Sequence, residues 1–229
     1  MCAIAGIFSL AGRAVDPFAI TRMCEAQAHR GPDGAGSVLL APVVGRAGPR
    51  WWELTAQDLS RSRPDLQPHG LGRTASSSGG LDYRLALGHR RLAILDLSIA
   101  GHQPMANRAR TVWITYNGEI YNHLELKKEL QGKGYEFVSS TDTEVLLHLY
   151  EEFGPGCVER LNGMFAFALW DDRTETLLLA RDRYGIKPLY YAEAGGALVF
   201  ASEVKALLGL DGVPREVSLP ALVDYFTFQ

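Results

Sequence analysis

Chemistry in this chain starts with Cys2, which directly follows Met1 in the run MCAIAGIF. A side chain this small permits removal of the initiator methionine. Cys2 would then carry a thiol and a free α-amino group on one residue. An α-amine titrates at about 7.7–8.0 and a thiol at about 8.5. The amine is therefore substantially neutral near pH 7 and can take the thiol's proton directly or through a water. That is a nucleophile with its own adjacent base. The plainer reading is a small buried hydrophobe, a common fate of cysteine, because reactivity depends on the microenvironment.

Other reactive types are spread along the chain, and each has a structural reading beside the chemical one. His29 to Gly34 reads HRGPDG, a turn by its Gly-Pro and Asp-Gly pairs. Arg30 and Asp33 there make either a local ion pair or part of a site. Leu85 to Leu97, LALGHRRLAILDL, is an apolar strand with one charged interruption. His89, Arg90 and Arg91 cannot all be buried unpaired, and arginine in such a place suits bidentate capture of a carboxylate. Asn117, Gly118 and Glu119 follow the strand TVWITY, and alone they read as an Asn-Gly hairpin turn. Asp142 falls in the first turn of a helix opened by Thr141 and Glu144 at capping-box spacing. An acid is favoured there electrostatically, so a purely structural role is sufficient. Ser76 to Asp82, SSSGGLD, imitates the SGGxD phosphate loop of ATP pyrophosphatases. It has neither a strand before it nor a helix pattern after it, so it is read as a Ser/Gly linker.

The elements that must position these residues follow from pattern. Of the 229 residues, 47% are hydrophobic and 21% charged, ordinary globular usage with ample length for a core. A formal net charge of −3 gives no electrostatic case for nucleic acid or a membrane surface. Three widely spaced cysteines, Cys2, Cys24 and Cys157, suggest neither a disulfide framework nor a zinc site and fit the cytoplasm. No Lys or Arg precedes the first apolar run, which argues against a secretory signal. The aromatic run Met164 to Trp170 is too short to span a bilayer.

AIAGIF reads as a buried strand. Asp16 and Pro17 look like an N-cap and first helical residue, with Phe18, Ile20, Met23 and Cys24 on a helix face. Val43 to Arg84 is rich in Gly, Pro, Ser and Arg and reads as a long, partly flexible excursion pinned by Trp51 and Trp52. Asn122 is a candidate cap for a helix carrying Leu124, Leu126 and Leu130. The helix after Thr141 stops at Gly154–Pro155. Two hairpins are expected around DDRTET and around Gly195–Gly196. A short helix runs from Ser202 and Glu203 through Leu208, and Leu219 to Phe228 is a last amphipathic piece. Strands, then helices, then strands make an antiparallel α+β fold rather than alternating βαβ units.

Taken together, MCAIAGIF, HRGPDG, GHRRLAILDL, GHQPM, YNGEIYNH, STDTEVLLHLY, LNGMFAFALWD, ARDRYGIKPLYY and FASEVKALL resemble the class II glutamine amidotransferases. The particular resemblance is to the N-terminal glutaminase domain of glutamine-dependent asparagine synthetases. These segments cover nearly the whole chain outside the 43–84 excursion. The resemblance implies an N-terminal-nucleophile hydrolase fold, a four-layer αββα sandwich of two antiparallel sheets.

It also implies roles by position. Cys2 corresponds to the nucleophile, and Arg91 rather than Arg90 to the group that grips the glutamine α-carboxylate. The backbone of Leu92, Ala93, Ile94 and Leu95 corresponds to the lining of the same pocket. Asn117 and the N–H of Gly118 correspond to an oxyanion hole, and Glu119 and Asp142 to the groups that hold the α-ammonium. A zwitterionic amino acid needs a fork for its carboxylate and carboxylates for its ammonium. The implied reaction is glutamine hydrolysis to glutamate and ammonia through a thioester.

On this reading residues 2–210 are the amidotransferase domain with an insertion at 43–84. Residues 211–229 begin a connection to an ATP-dependent synthetase domain that is absent here. The expected partners are L-glutamine and such a synthetase domain or subunit, with no nucleic acid and no membrane; a homodimer is left open. No metal and no cofactor is expected in this chain, ATP and Mg belonging to the synthetase. The alternatives are a non-catalytic glutamine-binding or regulatory domain, a supplier of ammonia to another amide-forming synthetase, and a hydrolase of other amides.

Overall fold

The computed structural model describes residues 1–41, 51–53 and 83–228. Ten strands form two antiparallel sheets among them. In the six-stranded sheet β1 (Ala3–Ser9) lies between β4 (Leu85–Arg91) and β10 (Ala197–Ala201). β2 (Gly34–Leu40) and β3 (Trp51–Glu53) extend it on the β4 side, and β9 (Tyr190–Ala194) completes the other edge. The four-stranded sheet runs β5 (Met105–Ala106), β6 (Val112–Ile120), β7 (Gly163–Asp171), β8 (Thr176–Arg181). The helices are α1 (Pro17–Ala26), α2 (His123–Gly132), α3 (Asp142–Phe153), α4 (Val204–Leu208) and α5 (Leu219–Phe228).

Period-two patterning sorts the strand residues into layers. Ala5 and Ile7 of β1, Ala86 of β4 and Val199 of β10 pack with Ile20, Met23 and Leu207 of α1 and α4. Leu85 and Leu87 meet Trp113, Ala168 and Trp170 of the other sheet, and Phe8 and Phe200 join them. Val112, Ile114 and Tyr116 of β6 and Phe167 and Leu169 of β7 face Leu126, Val145, Leu146 and Leu149 of α2 and α3. The order helix, sheet, sheet, helix is the αββα sandwich that the resemblance implied. Each large side chain removed from water in these layers contributes roughly 1.5–3 kcal/mol before entropy is counted.

Local chemistry places most elements as expected. Asp16 caps α1, its carboxylate accepting from the Phe18 N–H at 2.9 Å, and Pro17 follows at N1. Thr141 caps α3 by accepting from the Glu144 N–H at 3.3 Å. Both expected hairpins form, β7–β8 and β9–β10. At the edge of the excursion Trp51 packs on Trp113 with centroids 5.8 Å apart, and the Arg110 guanidinium sits 3.9 Å over Trp51. The SSSGGLD stretch and the rest of the excursion apart from 51–53 and 83–84 lie outside the described residues.

Four local expectations are corrected. Asn117–Gly118 makes no turn: β6 runs straight through it, pairing Asn117 with Ala166 and Gly118 with Phe165. The strand begun at Leu85 does not reach Leu97 but ends at Arg91, and the apolar residues beyond it, Ile94, Leu95 and Leu97, are exposed. Asn122 gives α2 no side-chain cap; its amide donates to the Arg160 carbonyl and its oxygen accepts from the Asn162 N–H. Glu144 closes no capping box on Thr141. Its carboxylate accepts instead from the N–H groups of Val138 and Ser139 and from the Ser139 hydroxyl. The last helix, α5, is exposed along its length.

Candidate active site

Ladder register brings Cys2 and Arg91 together. Ala3 pairs with Arg90 across β1 and β4, so Cys2 emerges beside Arg91 at the end of the six-stranded sheet. The Leu92 N–H donates to Cys2 Sγ at 3.3 Å, and the thiol can donate back to the Leu92 carbonyl at 3.5 Å. The Nε of Arg30 holds the Cys2 carbonyl at 3.0 Å. Burial raises the Cys2 thiol pKa, against the lowering effects of the Leu92 amide, the chain's N-terminal charge and Arg91. Arg30 and Asp33 therefore act apart. Arg30 links Cys2 to Glu203, 3.2 Å from its Nη1, whereas Asp33 accepts from the Ala93 N–H at 2.9 Å.

Arg91 turns its fork toward the loop that follows it. Nη1 donates to the Ser98 carbonyl at 2.9 Å and Nη2 to the Asp96 carbonyl. The Asp96 carboxylate accepts from the Ser98 N–H and from the N–H and hydroxyl of Ser140. The Ser98 side chain first, then the N–H groups of Ser140 and Ser98, hold it well below the usual carboxylate range. The loop bearing Arg91 is thus tied to the segment that leads into α3.

From the second sheet, β6 supplies Asn117, Gly118 and Glu119. Asn117 is buried, and its Nδ2 has no hydrogen-bond partner among the described residues. An unmet buried donor normally costs about 1–3 kcal/mol, so a donor left waiting in a cleft invites a ligand. At Gly118 a Cβ would collide with the Met164 carbonyl and the Tyr116 ring, which restricts the position to glycine. Asp142, at the start of α3, accepts from the Tyr116 hydroxyl at 2.6 Å and the Ile120 N–H at 3.0 Å through Oδ2. Burial raises the Asp142 pKa against those two bonds. Burial and the neighbouring Asp142 push the Tyr116 phenol well above its ordinary value.

All ten residues singled out from sequence, Cys2, Arg91, Leu92, Ala93, Ile94, Leu95, Asn117, Gly118, Glu119 and Asp142, line one cleft. Arg90 is not among its lining residues. Sequence reasoning missed Asp96, Gln103, Tyr116 and Lys187, which line it too. Gln103 belongs to the quoted GHQPM segment. Its side chain accepts from the Tyr116 N–H at 2.7 Å and donates to Thr143 at 3.1 Å, so it braces both β6 and α3. The signal for these residues lay in the motif segments, but nothing in the pattern separated bracing residues from solvated ones. Among the described residues no group of His, Cys, Asp or Glu is placed to hold a metal ion, and no helix is long and apolar enough to cross a membrane.

The glutamine amidotransferase domain model matches residues 55–229. Asparagine synthetase [glutamine-hydrolyzing] 3 of Bacillus subtilis is 44% identical over 147 residues, 63% of this chain and 24% of that protein. The asparagine synthetase [glutamine-hydrolyzing] of Zea mays is 47% identical over 135 residues, 58% of this chain and 22% of that protein. The chain thus spans about a quarter of the length of these curated relatives. Among solved structures, glutamine phosphoribosylpyrophosphate amidotransferase from B. subtilis, in complex with ADP and GMP, matches with a TM-score of 0.70. That match covers 93% of this chain and 44% of the other at 24% identity, and it speaks for the fold.

Proposed function

The chain belongs to the glutamine amidotransferase domain family, and from that premise we propose that it hydrolyses L-glutamine to glutamate and ammonia from Cys2. The observation that carries the reading is the unpartnered Asn117 amide in the cleft that also holds a thiol, an arginine fork and two carboxylates. With Met1 removed, the α-amine of Cys2 takes the thiol proton as sulfur attacks the side-chain amide carbon of glutamine. Asn117 Nδ2 and the Gly118 N–H receive the developing oxyanion; one such donor is worth roughly 3–4 kcal/mol in a comparable site. The amine then passes the proton to the departing nitrogen, which leaves as ammonia. Water attacks the thioester and returns the thiol and glutamate. Arg91 grips the α-carboxylate, Glu119 and Asp142 hold the α-ammonium, and the backbone of Leu92 to Leu95 forms the wall between.

The ammonia is destined for asparagine synthesis from aspartate and ATP, carried out by a synthetase domain or subunit outside this chain. The names of the relatives and the quarter of their length that the chain spans support this. Residues 211–229, including the exposed α5, lead toward that partner. On this reading ATP and Mg act there, and this chain needs neither.

The test is ammonia release from glutamine by purified protein whose loss of Met1 is verified by mass spectrometry, beside Cys2→Ala. Release abolished by Cys2→Ala supports the reading. Full activity in a form that retains Met1 would overturn the mechanism. Calorimetry with Mg·ATP should give no binding, and micromolar affinity would place a nucleotide site on this chain.

A further inference from the structure

Lys187 lies in the segment ARDRYGIKPLYY, which the chemistry above leaves unused. The residue is only 6% exposed, yet it lines the cleft. Its backbone is fixed at both ends. Its N–H donates to Asp182 Oδ2 at 3.0 Å and its carbonyl accepts from Arg181 Nε at 2.7 Å. Asp182 is spent on amides, accepting also from the N–H groups of Phe165, Tyr184 and Ile186. Among the described residues the only polar partner of the Lys187 ammonium is the Met1 thioether, 3.4 Å away. A thioether is a weak acceptor, and a buried charge without a counterion is costly. Met1 is bonded directly to Cys2, and both line the same cleft as Lys187, so removal of Met1 takes away the ammonium's one polar partner beside the new N-terminal residue.

We propose that Lys187 is a positioning residue for charge: it drives the terminal amine and thiol of Cys2 toward their deprotonated forms at neutral pH. This deepens the glutaminase reading above and rests on it. A neighbouring cation disfavours the α-ammonium and favours the thiolate. The amine and thiol titrate as a coupled pair, and the cation brings loss of the pair's first proton to lower pH. No covalent step involves Lys187 itself. Other titratable groups surround the same cleft. Arg91 at the end of β4, and Arg30 holding the Cys2 carbonyl with Glu203 behind it, come from the six-stranded sheet side. Glu119 and the neutral Tyr116 phenol on β6 and Asp142 on α3 line it from the other. These stay constant between variants, so substitution at position 187 isolates one charge.

Two pH profiles of the full chain with Met1 removed decide it: Cys2 alkylation by iodoacetamide, followed by peptide mass spectrometry, and kcat/KM for glutamine. In Lys187→Met both acidic limbs should move up by about one pH unit, the size expected for a close charge, with KM on the plateau little changed. Lys187→Arg should restore the original limbs. If the methionine variant fails to fold, Lys187→Gln is measured in its place with the same expectation. Limbs that stay put or move down, or an arginine variant that behaves like the neutral one, would overturn the proposal. The alkylation profile needs no turnover. A chain that does not hydrolyse glutamine sinks the function, while the thiol titration still decides the role of Lys187.

Discussion

Arg91 closes against Gly101, where any Cβ would collide with Nη2 of the guanidinium. Shape at Gly101 and the carbonyls of Asp96 and Ser98 together hold the fork in one place. Gly101→Ala should therefore displace the guanidinium without altering its charge. The KM for glutamine should rise about tenfold, equivalent to about 1.4 kcal/mol, with kcat changed less. Steady-state kinetics check this, and an unchanged KM would mean that Arg91 is not the carboxylate clamp.

Asp96 joins Arg91 to the segment that leads into Asp142. Its carbonyl holds Arg91, and its carboxylate holds Ser140, two residues before Asp142. Asp96→Ala removes the whole link and should raise KM several-fold, whereas Ser140→Ala loses only the hydroxyl bond and should raise it less. Because both act on the same link, their effects in the double variant should fall short of additive. A fully additive cycle would show two independent contributions and no latch.

The pH dependence of substrate binding follows from Asp142. Burial lifts its pKa above the ordinary 3.8, against bonds from Tyr116 and Ile120. On the proposed role, the carboxylate that holds the α-ammonium is present above the folded pKa and is lost as pH falls through it. Because that pKa is raised, the loss begins at higher pH than it would for an exposed aspartate. The KM for glutamine should rise on acidification accordingly, while Asp142→Asn should show a high KM with the acidic rise reduced. A variant that keeps the wild-type profile would assign the titration to another group.

The layers and the cleft were legible in sequence because they rest on period and on clustered motifs. AIAGIF and Met164 to Trp170 are continuous apolar runs, the mark of strands buried on both faces, and the ten site residues came from segments that match together. What was not legible depends on three-dimensional neighbours. Asn117–Gly118 has the composition of a tight turn, yet β7 beside it supplies a full ladder, and pairing overrides local propensity. Leu92 to Leu97 is as apolar as a strand, but Arg91 bonds to the Asp96 and Ser98 carbonyls and folds the segment back into a loop. Glu144 left its capping box because the N–H groups of Val138 and Ser139 stand nearer to it in the fold.

His89 bolts the two sheets together beneath the site, and its tautomer can be deduced. The Thr115 hydroxyl donates to the Gly88 carbonyl at 3.0 Å. Its oxygen can then only accept from His89 Nδ1, 3.2 Å away, so Nδ1 carries the proton and Nε2 is bare. That Nε2 is buried and has no hydrogen-bond partner among the described residues. His89 pairs with Ile4, two residues from Cys2, and Thr115 precedes Asn117 by two, so the bolt joins the strands that lead to Cys2 and Asn117. Burial pushes the His89 pKa from 6.5 down to about 3, helped by His102 and the two neighbouring arginines. Between those values the unfolded chain binds a proton that the folded chain refuses. Stability is therefore complete above pH 6.5 and is lost as pH falls toward 3, by an amount on the order of a few kcal/mol. His89→Gln should be less stable at pH 7 yet show a flatter decline between pH 7 and 4.5. Thr115→Val should leave the Nδ1–H unmet and cost about 1–3 kcal/mol at neutral pH. Urea denaturation at several pH values measures both, and an unaltered acid slope in His89→Gln would remove His89 as the source of acid sensitivity.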